Sequence, residues 1–155
     1  MTELADSMKA TPAYQAMSIV NKCLVEQSGM DPKLRILINL RVSQLNKCSP
    51  CVGFYWQELC SLGETDSRLR MLSTWREAPF YSSRERAALE WAEAITLLAS
   101  REQSARVYRS ARIHFTDEEL ANLTVAVAAM NSWNRLTMAF QREVVVSQSQ
   151  LVTAR

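Results

Sequence analysis

The chain of 155 residues has one histidine, three glycines and no stretch approaching the roughly 20 apolar residues of a membrane-spanning helix. Its 18 basic residues exceed its 16 acidic ones by two, and they are spread along the chain. There is thus no basic patch to mark a nucleic-acid surface or an anionic membrane. The N-terminus MTELADSMKA is polar and acidic, where a secretory signal needs a basic start and an apolar run, so the expected compartment is the cytoplasm. Low-complexity linkers and internal repeats are missing, and no alternating apolar pattern long enough for strands competes with helical spacing. A chain of this length can bury about two-thirds of its unfolded surface in one core. These absences predict a single all-α domain over 1–155.

The prolines and polar caps mark where helices begin. Thr11-Pro12, Asp31-Pro32 and Ser49-Pro50 each place a capping residue before a proline, and the first helical position has no intrahelical use for the N–H that proline lacks. Ser82 with Glu85 and Thr116 with Glu119 have the capping-box spacing. Gly29 and Gly63 fall where two helices would stop. Apolar residues recur at three- and four-residue intervals, as in Leu34, Leu37, Ile38, Leu40 and Leu45, or Ala88, Trp91, Ala92, Ile95 and Leu98. Six to seven helices are predicted, near 12–28, 32–46, 50–62, 65–76, 83–99, 102–113 and 117–146, with a loop at 78–81 and a break allowed in the last helix.

Four cysteines are present, Cys23, Cys48, Cys51 and Cys60. In a reducing cytosol, paired thiols serve in catalysis, sensing or metal binding more often than as staples. Zinc needs four ligands, usually including a second C-x-x-C or a histidine pair, and the chain has neither. Cys60 falls about 180° round the same helix from Cys51 and Cys23 belongs to another helix, so both are expected as small core residues. With Ser49 as cap and Pro50 opening the helix, Cys51 sits in the first turn, where unpaired N–H groups and the positive dipole end favour a thiolate. Such placement lowers a thiol pKa from about 8.5 into a range of roughly 3.5 to 7.5. An i, i+3 spacing brings the Cα atoms to about 5 to 6 Å, within the roughly 4.4 to 6.8 Å that a disulfide allows. The pair can then cycle between dithiol and disulfide, although two buried thiols in a helix hairpin would give the same letters.

The stretch from "LRILINLRVSQLNKCSPCVGFYWQELC" through "STWREAPFYSSRERAALEWAEAITLLAS", with "FTDEELANLTVAVAAMNSWNRLTMAF" later on, resembles the AhpD-like alkylhydroperoxidases of the carboxymuconolactone decarboxylase superfamily. The likeness covers about 12–141, and its most specific words are RVSQLN, WREAPFYS and NSWNR. It implies an all-helical fold that assembles as a homo-oligomer, a trimer or hexamer, and reduces hydroperoxides. In such a site Cys51 takes the peroxide oxygen and Cys48 resolves it. The resemblance also implies a dithiol reductant, in the best-known system a lipoyl-bearing protein, and neither a metal nor an organic cofactor.

Two positions depart from the family pattern C-x-x-C-x-x-x-H with a glutamate twelve residues earlier. The histidine position is Tyr55 and the glutamate position is Ile36. A phenol near pKa 10 is a poor base at neutral pH, whereas imidazole near 6.5 is a good one, so Tyr55 is expected to donate a hydrogen bond to a thiolate or peroxide oxygen. His114 is expected at a helix end, and Glu58 lies about 10 Å along the helix from Cys51, too far for direct proton transfer. Arg86, Glu90 and Glu93 share one helical face, which reads as a solvated or interface stripe with an Arg86–Glu90 pair, or as the source of a catalytic carboxylate. Asn131 and Asn134 either line the cysteine pocket or tie helices together. The aromatic stretch holding Trp75, Phe80 and Tyr81 is either core or oligomer interface. The leading expectation is a thiol peroxidase weakened by the lost relay. The alternative is a non-catalytic or redox-sensing oligomer of the same fold, and lactone decarboxylation ranks third.

Overall fold

The computed structural model describes residues 2–140, with side chains from residue 6 onward. Among them are eight α-helices, one 3₁₀ turn and no strand. The helices are α1 (Thr2–Lys9), α2 (Pro12–Glu26), α3 (Pro32–Leu45), α4 (Ser49–Ser61), α5 (Asp66–Arg70), α6 (Ser83–Thr96), α7 (Arg101–Ala111) and α8 (Asp117–Ala139). None of the described helices is long and apolar enough to cross a membrane.

Helix α3 forms the axis of the bundle. Its sequence PKLRILINLRVSQL carries apolar residues on every side, and Leu34, Ile36, Leu37, Ile38, Leu40 and Val42 are all buried. A helix that is apolar all round belongs in the middle of a bundle, and α4, α6 and α8 pack against it. Side chains buried as fully as Leu37 and Ile38 each contribute about 1.5–3 kcal/mol by leaving water. Helix α7 lies against α6, and α2 lies against α8.

The caps form as their residues dictate. Thr11 and Asp31 accept from the N–H groups of Tyr14 and Leu34, and the boxes at Ser82–Glu85 and Thr116–Glu119 are both closed. A third box, Ser100–Gln103, opens α7. Gly29 and Gly63 end their helices at φ +65 and +81, a conformation that costs glycine nothing.

The structure departs from the predicted elements at three places. Helix α1 precedes the first expected helix, and α8 runs without a break to Ala139, so 141–146 lie outside the described residues. The segment expected as one helix over 65–76 is α5 followed by a 3₁₀ turn at Met71–Thr74. Its buried residues explain the change, because Leu69, Leu72, Trp75 and Ala78 recur every third position and three residues per turn is the 3₁₀ period.

Candidate redox-active site

The corner between α3 and α4 is built from backbone hydrogen bonds. Asn46 caps α3, and Lys47 takes the left-handed conformation at φ 57. The N–H of Lys47 then donates to the carbonyl of Gln44 at 3.1 Å, and that of Cys48 to the carbonyl of Ser43 at 3.0 Å. These are the two reversed bonds of a Schellman ending, which usually has glycine where Lys47 stands. Cys48 is in turn the N-cap of α4, its carbonyl accepting from the N–H of Val52 at 2.9 Å. One residue thus closes one helix and opens the next. Ser49, expected as the cap, is instead the first residue of α4, and no side chain caps the new helix. The first-turn N–H groups of Ser49 and Cys51 are left free for a nearby anion.

The two sulfurs lie at bonding distance, 2.18 Å, with Cα atoms 5.3 Å apart. Cys48 is fully buried and Cys51 is nearly so, at 8% exposed. Tyr55 lies one turn beyond Cys51 on the same face of α4. Burial, reinforced by the charge of Glu58 and opposed by Arg35, pushes its hydroxyl up to about 12, which keeps it protonated and a donor at any physiological pH. Its ring meets the edge of Phe54 at 5.1 Å, and Phe54 is mostly exposed. Tyr55 also lines a cleft of about 290 Å³ with Tyr14, Ser18 and Asn21 of α2 and Trp133 of α8.

Other candidate residues have structural places. Ile36 is sealed in the core, 2% exposed, so the position of the relay glutamate is both apolar and dry. His114 follows α7, where its carbonyl accepts from Arg84. The expected Arg86–Glu90 pair does not form, because the Arg86 guanidinium turns back to the carbonyls of Trp75, Arg76, Ala78 and Tyr81, while Glu90 faces Arg106 at 3.6 Å. Four backbone carbonyls without helix partners bind that cation better than one half-buried carboxylate. Glu93 is no surface residue either. It is buried and receives Arg41 at 2.7 Å, Arg76 at 2.7 Å and the Trp75 indole N–H at 2.8 Å. Burial alone would raise its pKa, but the hydrogen bonds from Trp75, Arg76 and Arg41 prevail and hold it below the ordinary carboxylate value. Trp75 and Tyr81 are core residues, whereas Phe80 is exposed. Cys23 and Cys60, expected inside, are both exposed, since the described part of α2 buries only Leu24 and Cys60 lies on the side of α4 opposite Cys51. Among the described residues no cluster of histidine, cysteine and carboxylates has the makings of a metal site.

Asn131 and Asn134 tie helices together. The Asn46 side-chain amide donates to both of their carbonyl oxygens at 2.9 Å, Asn134 donates to the Ser43 hydroxyl at 3.1 Å, and Asn131 donates to Thr96 at 3.1 Å. Asn46, Ser43 and Lys47 are site residues that the sequence reading missed. The available signal was asparagine at a predicted helix end directly before a reactive pair.

Comparison with known proteins agrees with this architecture. The model of the carboxymuconolactone decarboxylase family matches residues 11–94, from the cap of α2 into α6. An uncharacterized protein of Bacillus subtilis, YdfG, is 38% identical over 114 residues, 74% of this chain and 78% of its own. A crystal structure from Agrobacterium tumefaciens, of unknown function and proposed to be the antioxidant defence protein AhpD, superposes with a TM-score of 0.82 at 34% identity, over 90% of this chain and 95% of that one. An uncharacterized peroxidase-related protein from Silicibacter sp. TM1040 shares the fold, with a TM-score of 0.74 at 23% identity over 83% of this chain and 68% of that one.

Proposed function

Because the chain belongs to the carboxymuconolactone decarboxylase family, we propose that it is an AhpD-like dithiol oxidoreductase that reduces hydroperoxides through Cys51 and Cys48. The observation that carries this reading is the Cys48–Cys51 pair at an uncapped helix start, with Cys51 the less deeply buried member. The Cys51 thiolate attacks the terminal peroxide oxygen; the O–O bond breaks, a sulfenic acid forms, and the alkoxide takes a proton and leaves as alcohol. The Cys48 thiol then attacks the Cys51 sulfur, forming the disulfide and releasing water. An external dithiol, such as a lipoyl group on a protein, returns two electrons and two protons and is itself oxidised to a disulfide. Tyr55 donates a hydrogen bond to the departing oxygen.

The free N–H groups of the first turn and the dipole end of α4 supply the thiolate stabilisation that the missing histidine and glutamate do not. Titration of the reduced, folded protein with one equivalent of an alkyl hydroperoxide should convert Cys48 and Cys51 to the disulfide and leave Cys23 and Cys60 as thiols. Two unmodified thiols at that corner would sink the proposal. A redox-sensing member without turnover is the second reading, favoured by the dry Ile36 and the protonated Tyr55. It predicts oxidation without multiple turnovers when dihydrolipoamide is supplied.

The same proposal includes a homo-oligomer. Ile19 and Val25 on α2, Phe54 on α4 and Ile113 after α7 are more than half exposed in the single chain, and such apolar surface suits burial between copies. Light scattering should return a trimer or hexamer, and a monomer at micromolar concentration would argue against it.

A further inference from the structure

We propose that Asn131 and Asn134 are positioning residues for the dithiol: by holding Asn46 and Ser43 they fix the corner that presents Cys48, and so set how readily the Cys48–Cys51 disulfide is reduced. The inference rests on the redox reading of the pair given above.

The hydrogen bonds form a clamp whose jaws both lie on α8 and whose grip is on the last turn of α3. Asn134 is fully buried and spends both ends of its amide there, accepting from Asn46 and donating to Ser43. Asn131 accepts from the same Asn46 amide, and its own N–H₂ is anchored to Thr96 of α6 and to the carbonyl of Val127. Ser43 is the residue whose backbone carbonyl receives the N–H of Cys48, and its hydroxyl donates to the carbonyl of Asn39. The clamp and the bond that holds Cys48 therefore meet on one residue, Ser43.

Three buried or half-buried amides in contact have few alternatives to one another, because an unpaired polar group there costs about 1–3 kcal/mol. An apolar side chain of similar size would fill the same space without these bonds, so burial alone does not account for the asparagines. What they supply is direction, in that each bond fixes where the corner residues stand relative to α8. A disulfide forms to the extent that the two thiols are held near each other, and the fixed backbone keeps the Cα atoms at 5.3 Å. Loosening the corner lowers the effective concentration of one thiol at the other, which favours the dithiol.

The test measures the equilibrium of the pair in full-length protein against mixtures of reduced and oxidised dithiothreitol, without peroxide. Asn131→Ala and Asn134→Ala should each make the disulfide about tenfold easier to reduce, a shift of about 30 mV toward a less negative potential for two electrons. Val107→Ala removes buried volume from α7, away from the corner. It should lower stability without moving the potential, which separates positioning from general destabilisation. Folded Asn131→Ala and Asn134→Ala proteins with the wild-type potential would overturn the clamp. If Asn134→Ala fails to fold, Asn131→Ala and Asn46→Ala decide by the same criterion. An unreactive peroxide assay combined with the predicted shift would count against the peroxidase reading and leave the clamp standing.

Discussion

Replacing Tyr55 by histidine tests whether the site lacks a base and nothing else. With its hydroxyl at about 12, Tyr55 is ionised in only about one molecule in 10⁵ at neutral pH, so it takes no useful share in removing the thiol proton. An ordinary thiol near 8.5 is about 3% thiolate at that pH, which caps the gain from complete ionisation at about 30-fold. The uncapped start of α4 already provides part of that gain, so Tyr55→His should accelerate oxidation of Cys51 by about tenfold at neutral pH. The assay is stopped-flow loss of the two thiols in reduced protein mixed with an alkyl hydroperoxide, followed across pH. The rates of variant and wild type should converge once the solution is alkaline enough to ionise the thiol unaided. An unchanged rate at neutral pH in a folded, reducible variant would refute the reasoning. So would an equal gain at every pH, which would mean that histidine helps by something other than taking a proton.

Lys47→Gly should stabilise the protein by about 0.5–1 kcal/mol in denaturant unfolding, because relief of the left-handed strain, roughly 1–2 kcal/mol, exceeds the added freedom of glycine in the unfolded chain. A loss of stability would show that the lysine side chain has a compensating role. Glu93 has a folded pKa below its ordinary 4.5, so the unfolded chain binds a proton more readily. The stability it supplies is complete above pH 4.5 and declines as pH falls through the folded value. Glu93→Gln should cost about 3 kcal/mol at neutral pH by stranding Arg41 and should flatten the acid limb of the stability curve; an unaltered acid limb would exclude Glu93 as its source. Tyr55 and Tyr81 are both raised from 10.0 to about 12. Their contribution is therefore intact below pH 10 and is lost as pH rises toward 12. Spectrophotometric titration of tyrosinate should show two late ionisations, one removed by Tyr55→Phe and one by Tyr81→Phe, and two ordinary titrations would contradict both burials.

The helices were readable because their signals are local. Caps at Thr11, Asp31, Ser82 and Thr116 need only residues within the next turn, and each forms as its letters imply. The cysteine pair was readable for the same reason, a spacing of three on one turn. What escaped the sequence depends on residues distant along the chain. Glu93 reads as surface because it shares a helical face with Arg86 and Glu90, yet Arg41 lies 52 positions away and Trp75 lies 18 away. The partners of Asn131 and Asn134 lie 35 to 91 positions upstream, so periodicity shows that the two asparagines are odd but not what they grip. Arg86 misled in the opposite way, since a local pairing rule favoured Glu90 while four unpartnered carbonyls of the preceding loop offered more. Cys23 and Cys60 were misplaced because residue type says how often a cysteine is buried, not which side of its helix it occupies.

The connection from α3 to α4 consists of Asn46, Lys47 and Cys48, and all three have fixed conformations. A single residue inserted there would swing the second helix by about 100° about its axis, carrying Cys51 and Tyr55 off to another side of the bundle. Spacing is therefore guarded more tightly than identity at this joint: substitutions at 47 should be survivable, whereas an added or deleted residue before Cys48 should keep the two sulfurs three residues apart yet carry the pair away from Ser43, Asn46 and the cleft beside Tyr55.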